Sequence, residues 1–322
     1  MNQKEHKAGL AFILILSAFI VILYLKIFVS FENQQSKGSN RVFGATYMTM
    51  NNEFYTAVNN EIQAEVDKND DKLITLDPAL NAEKQKEQIY YLINEKVDCI
   101  FVTPVDWKKL DAPLKAAKKA GIPVIVVDAP VYHEKLVSTT IVSDNYNAGK
   151  LCAINMMKKM SHADILLLTH HNAKSAIDRI TGFLDAIKGN DNYRVVGEAD
   201  TEGQTERTLP KVKQFIKKGI TIDVVMALND PTAIGALAAF DEAGKSRDVI
   251  VYGVDGSPDG KSLIKEKMLT ATAAQYPKEM GKKAVEAGYK LVKHKKVKSE
   301  IIIPVKLIDQ SNISKFDIQN WQ

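Results

Sequence analysis

Polar side chains recur where short apolar runs end. Asn51 and Asn52 follow the run at 41–48, with Phe54 and Tyr55 beside them; Asp128 closes the run at 124–127, and Asn229 and Asp230 close 224–228. Asp255 follows the run at 249–252, Gln275 lies beyond it, and Arg179 falls in the helical pattern after His170 and His171. Carboxamides, carboxylates and a guanidinium can exchange hydrogen bonds with hydroxyls while aromatic faces cover C–H surface, which is what a neutral polyol needs. Asn and Asp at strand ends are also turn and cap formers, and that accounts for any single position. Their recurrence at most strand ends points to a ligand. The same residues give no nucleophile with its base and no catalytic pair of carboxylates, so the chain reads as a binding protein and not an enzyme. Adjacent His170 and His171 point apart and no third ligand has matching spacing, so they read as an exposed loop, with no metal and no cofactor expected.

The stretch Gly253-Val254-Asp255-Gly256-Ser257-Pro258-Asp259-Gly260 concentrates this pattern. An apolar strand precedes it and a capped helix with an early proline follows, which puts Asp255 at the carboxyl end of a parallel strand, where open α/β sheets bind ligands. Its glycines are expected to let backbone approach the ligand. A phosphate-cradling loop would need Gly-Lys-Ser or Gly-x-Gly-x-x-Gly, and Asp255 and Asp259 would repel an anion.

The elements that position these residues alternate. Strands are expected at 41–48, 72–76, 99–102 and 123–127, with helices at 53–68, 82–95 and 109–119. A second series has helices at 146–160, 173–188, 209–218 and 231–243 and strands at 165–169, 193–199, 224–228 and 249–252, then a helix at 278–292 and a last strand at 301–305. Fully apolar runs between amphipathic helices are the mark of a parallel sheet covered on both faces. Two similar α/β domains follow, with the site in the cleft between them.

The chain's 322 residues suit two domains, and 43 Lys+Arg against 39 Asp+Glu leave a net charge of +4, which gives no reason to expect a nucleic-acid partner. Cys99 and Cys152 lie in apolar or helical stretches and read as core residues. Residues 8–25 carry no charge, long enough for a single transmembrane helix, and no small-residue cleavage site follows. They read as an uncleaved anchor, and the polar segment 33–40 reads as a short tether.

Taken together, several segments resemble the periplasmic ribose-binding protein family, the sugar-binding type I solute receptors related to the lactose-repressor core. They are 51–55 (Asn-Asn-Glu-Phe-Tyr), 102–106 (Val-Thr-Pro-Val-Asp), 126–128 (Val-Val-Asp), 143–145 (Ser-Asp-Asn), 175–179 (Ser-Ala-Ile-Asp-Arg), Asn229-Asp230, 253–260 and 274–277 (Ala-Gln-Tyr-Pro). The similarity covers 41–305. It implies two Rossmann-like lobes joined by a three-stranded hinge, the type I periplasmic binding protein fold, closing around a sugar. The implied domains are an anchor and tether at 1–40, an N-terminal lobe of 41–143 plus 276–305, and a C-terminal lobe of 144–275 plus 306–322. The implied sugar contacts are Asn52, Phe54, Tyr55, Thr103, Asp128, Arg179, Asn229, Asp255 and Gln275, with hinges at Ser143-Asp144, Gln275-Tyr276 and Val305-Lys306. Thr103 stands where ribose receptors carry asparagine, Ala129 where the family often has arginine, and Trp107 is unusual, which sets the site apart from a ribose site. Residues 201–207 offer no aromatic wall.

The anchored arrangement is similar to membrane-tethered sugar receptors that work with sensor histidine kinases of the LytS type, in particular those responding to xylose. The expected function is therefore an extracytoplasmic receptor for an aldopentose, D-xylose, held at the cell membrane by a single span and reporting to the extracytoplasmic domain of a sensor histidine kinase. The alternative is the solute-binding component of an ABC sugar transporter, with an ABC permease as the partner.

Overall fold

Runs of Val, Ile and Phe too short for a helix and apolar on both sides can be buried only in the middle of a layered sheet. In the computed structural model, which describes residues 20–24, 26, 41–245 and 248–322, these runs form two six-stranded sheets. Strands β1 (Val42–Thr46), β2 (Lys72–Leu76), β3 (Cys99–Val102), β4 (Val124–Val127), β5 (Thr139–Ser143) and β11 (Glu300–Ile303) make the first, in the order β11-β5-β4-β3-β1-β2. Every pairing in it is parallel. The second sheet repeats that order with β6 (Ala163–Thr169), β7 (Tyr193–Asp200), β8 (Val224–Ala227), β9 (Ile250–Asp255) and β10 (Ala271–Ala274), closed by β12 (Lys306–Asp309) antiparallel to β10.

Alternation along each strand sends side chains into two different cores. Cys99 and Phe101 of β3 join the cluster under α1 (Glu53–Asp67) and α9 (Pro277–Val292), while Ile100 and Val102 join the one under α2 (Ala82–Asn94) and α3 (Asp111–Lys119). In the second lobe, Val224 and Met226 face α4 (Asn145–Lys159) and α5 (Lys174–Ile187). Val225 and Ala227 face α6 (Thr205–Lys217), α7 (Asp230–Glu242) and α8 (Pro258–Lys265). Both cysteines are buried and free, and burial pushes both thiols up, away from reactivity.

The chain passes between the sheets at three places: β5 to α4, β10 to α9, and β11 to β12. Ser143 and Asp144, Gln275 and Tyr276, and Val305 and Lys306 fall in or beside these crossings. The structure corrects three strand expectations. β5 and β10 were not expected as strands, because their Thr, Ser and Ala residues carry little apolar signal. The last strand expected at 301–305 is β11, which stops before Pro304 because proline has no N–H to continue a ladder, and β12 beyond it was not expected. Helix α6 begins four residues before the expected start at 209 and carries Pro210 within it. At the end of the segment 306–322, Trp321 packs against the first lobe's core.

The expected anchor and tether fall largely outside the described residues. Residues 20–24 are helical, and among the described residues no helix is long and apolar enough to cross a membrane. Val42–Gln322 forms a compact unit of its own.

Helices α4 and α5 touch through backbone. A Cβ on Gly149 would lie 1.7 Å from the Arg179 carbonyl oxygen, and one on Gly182 would lie 1.9 Å from that of Tyr146. Glycine at both positions sets how close Arg179 comes to Asn145. The Gly149→Ala substitution is expected to cost about 1–3 kcal/mol of stability by overpacking, read as a lower denaturant midpoint; an unchanged midpoint would show that these helices separate freely.

Candidate functional site

Strand carboxyl ends of both sheets face one cleft. It is lined by Met48, Asn52, Phe54, Tyr55 and Asp128 from the first lobe and by Arg179, Gln204, Leu228, Asn229, Asp255 and Gln275, among others, from the second lobe and its crossing. The cavity they leave is small, about 30 Å³, well below the range of about 300–1,000 Å³ for small-molecule pockets.

Arg179 is the centre of the site and is 4% exposed. Its Nε donates to Asn145 Oδ1 at 2.8 Å and its Nη1 to the Leu228 carbonyl at 2.9 Å. Those bonds fix the plane of the guanidinium. Asp128 Oδ1 from the first lobe and Asp255 Oδ1 from the second each stand 4.0 Å from it, an ionic separation too long for a direct hydrogen bond. Tyr55 donates its hydroxyl to Asp128 Oδ2 at 3.2 Å, and Gln275 Nε2 donates to Asp255 Oδ1 at 2.7 Å. Asp128 Oδ1 and Gln275 Oε1 are buried and accept no hydrogen bond among the described residues.

Both carboxylates sit on strained backbone. Asp128 has φ 72° and Asp255 has φ 141°, regions that cost a side-chain-bearing residue about 1–3 kcal/mol. Neighbouring bonds hold them there: Asp128 N–H donates to the Ile141 carbonyl at 2.8 Å, and the Asp255 carbonyl accepts from Gln275 N–H at 2.8 Å. Burial pushes the Asp128 carboxyl up, against the pull of Arg179 and the Tyr55 hydrogen bond. Burial, then the nearby Asp230 carboxylate, push Asp255 well above the usual range, with Arg179 opposing.

Asp230 does not reach the cleft. It is fully buried, accepts from Ser257 N–H and Ser257 Oγ at 2.8 Å each and from Thr272 Oγ1 at 2.6 Å, and burial pushes it up to about 6. Cβ atoms on Gly253 or Gly260 would each lie 2.3 Å from an Asp230 oxygen. Gly253 and Gly260 therefore make room for Asp230, which ties α7 to the loop behind Asp255; for these two, the expectation that they admit ligand to the backbone is corrected.

Of the nine expected sugar contacts, the structure brings eight to the cleft: Asn52, Phe54, Tyr55, Asp128, Arg179, Asn229, Asp255 and Gln275. Thr103 is not among the lining residues; it is fully buried and donates its hydroxyl to the Val127 carbonyl at 3.0 Å. Asn52 and Asn229 are also helix caps, accepting from Phe54 N–H at 2.9 Å and Thr232 N–H at 3.0 Å, so capping and lining fall on the same side chains. His170 differs from the expected exposed loop, and His171 agrees with it. His170 is buried, lines the cleft and is pushed down by burial, hence neutral at neutral pH, whereas His171 is exposed. Glu202, Gly203 and Gln204 form the wall that sequence reasoning did not assign. A local signal existed, since they follow a strand as Asn229 and Asp255 do, but no aromatic marked them. Trp107 is not among the lining residues; its backbone N–H donates across the lobes to the Asn172 carbonyl at 3.1 Å.

The arrangement can accept several hydroxyl donors on carboxylates and carboxamides, donate from one guanidinium, and cover an apolar ring surface with Phe54 and Tyr55. Residues 43–296 match the family described as the periplasmic binding protein domain. The chain is 31% identical to the ribose import binding protein of Escherichia coli K12, over 81% of this chain and 88% of that protein. It is 29% identical to the ribose import binding protein of Bacillus subtilis 168, over 94% and 99%. Among solved structures, an ABC transporter solute binding protein from Agrobacterium vitis with bound D-fucose superposes with a TM-score of 0.81 at 29% identity, covering 85% of this chain and 97% of that one. One from Bacillus halodurans with bound myo-inositol superposes equally well, 0.81 at 25% identity, covering 86% and 97%.

Removing the Asp230 tie leaves the Ser257 and Thr272 donors buried without an acceptor. Asp230→Ala is expected to cost about 1–3 kcal/mol, measured by chemical denaturation, with Asp230→Asn losing less; equal stability of Asp230→Ala and the parent would refute the structural role.

Proposed function

The chain belongs to the periplasmic binding protein family, and from that membership we propose that it is a receptor for a small neutral sugar, the solute-binding component of an ABC-type importer. The observation that carries this reading is that two buried acceptors, Asp128 Oδ1 and Gln275 Oε1, are left without a hydrogen bond in the cleft that Arg179 also lines. Buried polar atoms are ordinarily hydrogen-bonded, and hydroxyl donors from a polyol supply what these lack. The relatives support the transport role, being import binding proteins, and the solved structures hold sugars or a cyclitol.

Charge narrows the ligand further. Asp128 and Asp255 face a single guanidinium, with Asp230 buried behind them, so the cleft is already rich in negative charge and an acidic sugar would add to the repulsion. Within neutral sugars, an aldopentose, D-xylose first, is the ligand we propose. Contact with both lobes is what would close them about the crossings at Ser143-Asp144, Gln275-Tyr276 and Val305-Lys306, because only the closed state satisfies all the hydroxyls.

The test is calorimetry of the full chain against D-xylose, D-ribose, D-fucose, myo-inositol and D-glucuronate. At least one neutral compound should bind and glucuronate should not; heat from glucuronate alone would overturn the reading. Loss of Asp128 in Asp128→Ala removes a charged hydrogen bond of about 1.5–3 kcal/mol, hence about 10- to 150-fold in affinity. Affinity should also fall as pH drops from neutral into the carboxylate range. The sign follows from linkage: burial raises both carboxyls in the free protein, hydroxyl donors favour their ionised forms, and protons therefore compete with sugar.

A second reading, favoured by the uncharged run at 8–25 and the short polar segment at 33–40, is a single-span membrane receptor with its binding domain extracytoplasmic, reporting sugar to a sensor histidine kinase. A linker of eight residues keeps the receptor within a few tens of ångströms of the bilayer at about 5–6 Å × √n, where effective concentrations reach roughly millimolar. Replacing 8–25 by a cleavable secretion signal should abolish a sugar-responsive reporter while leaving uptake intact if sensing is the role; loss of uptake with normal reporter output would favour transport alone.

A further inference from the structure

Residues 306–318 belong to the second lobe, with Ile308 and Ile313 in its core and Phe316 and Ile318 packed against it. Trp321 then returns to the first. Its ring meets Phe54 edge to face, centroids 5.8 Å apart and planes at 73°, and its carbonyl accepts from Lys278 of α9 at 2.9 Å. Gln322 lies across the base of the site: its Nε2 donates to the Asp255 carbonyl at 3.1 Å and to the Gln275 carbonyl, and a Cβ on Gly256 would lie 2.8 Å from it. Lys261 of α8, 1% exposed, donates its ammonium to the Asn320 carbonyl and, at 3.2 Å, to Gln322 Oε1.

These contacts fall on residues that shape the cleft. Phe54 is a wall, Asp255 is the strained carboxylate, and Gln275 lies in a crossing and carries one of the unpaired acceptors. Passive surface packing would not need a buried cation. Lys261 loses carbonyl acceptors if 320–322 lift away, and a buried ammonium without partners is costly, so docking of this segment is built into the second lobe. Its far end meanwhile rests on the first lobe.

We propose that residues 320–322 form a strap, anchored by Lys261, that positions Phe54, Asp255 and Gln275 and holds the two lobes in their closed arrangement. The inference rests on the sugar-binding reading for its effect on ligand, but the positioning itself is a property of the protein without ligand. Sugar leaves when the lobes part, so a strap favouring the closed state slows dissociation more than it changes association.

The experiment compares the full-length parent with Trp321→Ala, Gln322→Ala and Trp321→Phe. Amide exchange without sugar should quicken at 254–256 and 274–276 in the two alanine variants and return towards the parent in Trp321→Phe, which keeps an aromatic edge. Stopped-flow measurements use whichever of D-xylose, D-ribose, D-fucose or myo-inositol the parent binds. Dissociation should accelerate about tenfold in the alanine variants while association stays within about threefold. Unchanged exchange in both alanine variants would overturn the positioning role, and slower association with unchanged dissociation would overturn the closing role. A parent that binds none of the four compounds would overturn the sugar reading, and the exchange result would still decide the strap.

Discussion

One guanidinium stands between carboxylates that arrive from opposite lobes, and the rest of the site is arranged to keep it there. Arg179 spends its directed hydrogen bonds on Asn145 and the Leu228 carbonyl, both in its own lobe. What it offers Asp128 and Asp255 is charge at 4.0 Å and no hydrogen bond. A full salt bridge across the cleft would hold the lobes shut without ligand and consume the acceptors. Charge without contact makes two buried carboxylates tolerable while leaving oxygens for hydroxyls.

Close backbone approach is what makes that placement possible. Gly149 and Gly182 let α4 and α5 touch, which sets Asn145 beside Arg179. Gly253 and Gly260 give the Asp230 carboxylate room to bind Ser257 and Thr272, which braces the loop after β9 against the strain at Asp255. Strain at both cleft-lining aspartates, offset by bonds around them, is the pattern expected where a side chain must be aimed and not merely accommodated.

The same two-sheet frame appears in proteins described with D-fucose and with myo-inositol, so the frame alone leaves the polyol open. Differences must lie in walls that vary. In this chain the loops after β6 and β7 supply neutral His170 with Glu202, Gly203 and Gln204, a polar wall in the same cleft as Phe54 and Tyr55.

Much of the architecture was legible from residue type and spacing, because apolar runs at β3, β4 and β8 and amphipathic helices between them admit few arrangements other than parallel sheets with helices on both faces. The polar residues closing those runs were legible for the same reason: a strand end in such a sheet opens onto a crevice. Local signals failed where a segment's state depends on distant partners. β5 and β10 are strands because neighbouring strands complete their ladders, and their Thr and Ala residues carry no periodicity of their own. His170 is buried only because the loops beside it fold over it, and Thr103 is spent on the Val127 carbonyl, a partner 24 residues away. The glycines at 253 and 260 looked like room for a ligand and are room for Asp230. Trp321 packs against Phe54 only because the folded second lobe carries it there. Sequence determined which chemical groups exist and on which edge of the sheets they emerge; tertiary structure decided which of them are already occupied by one another, because occupancy is a matter of distances that no local pattern encodes.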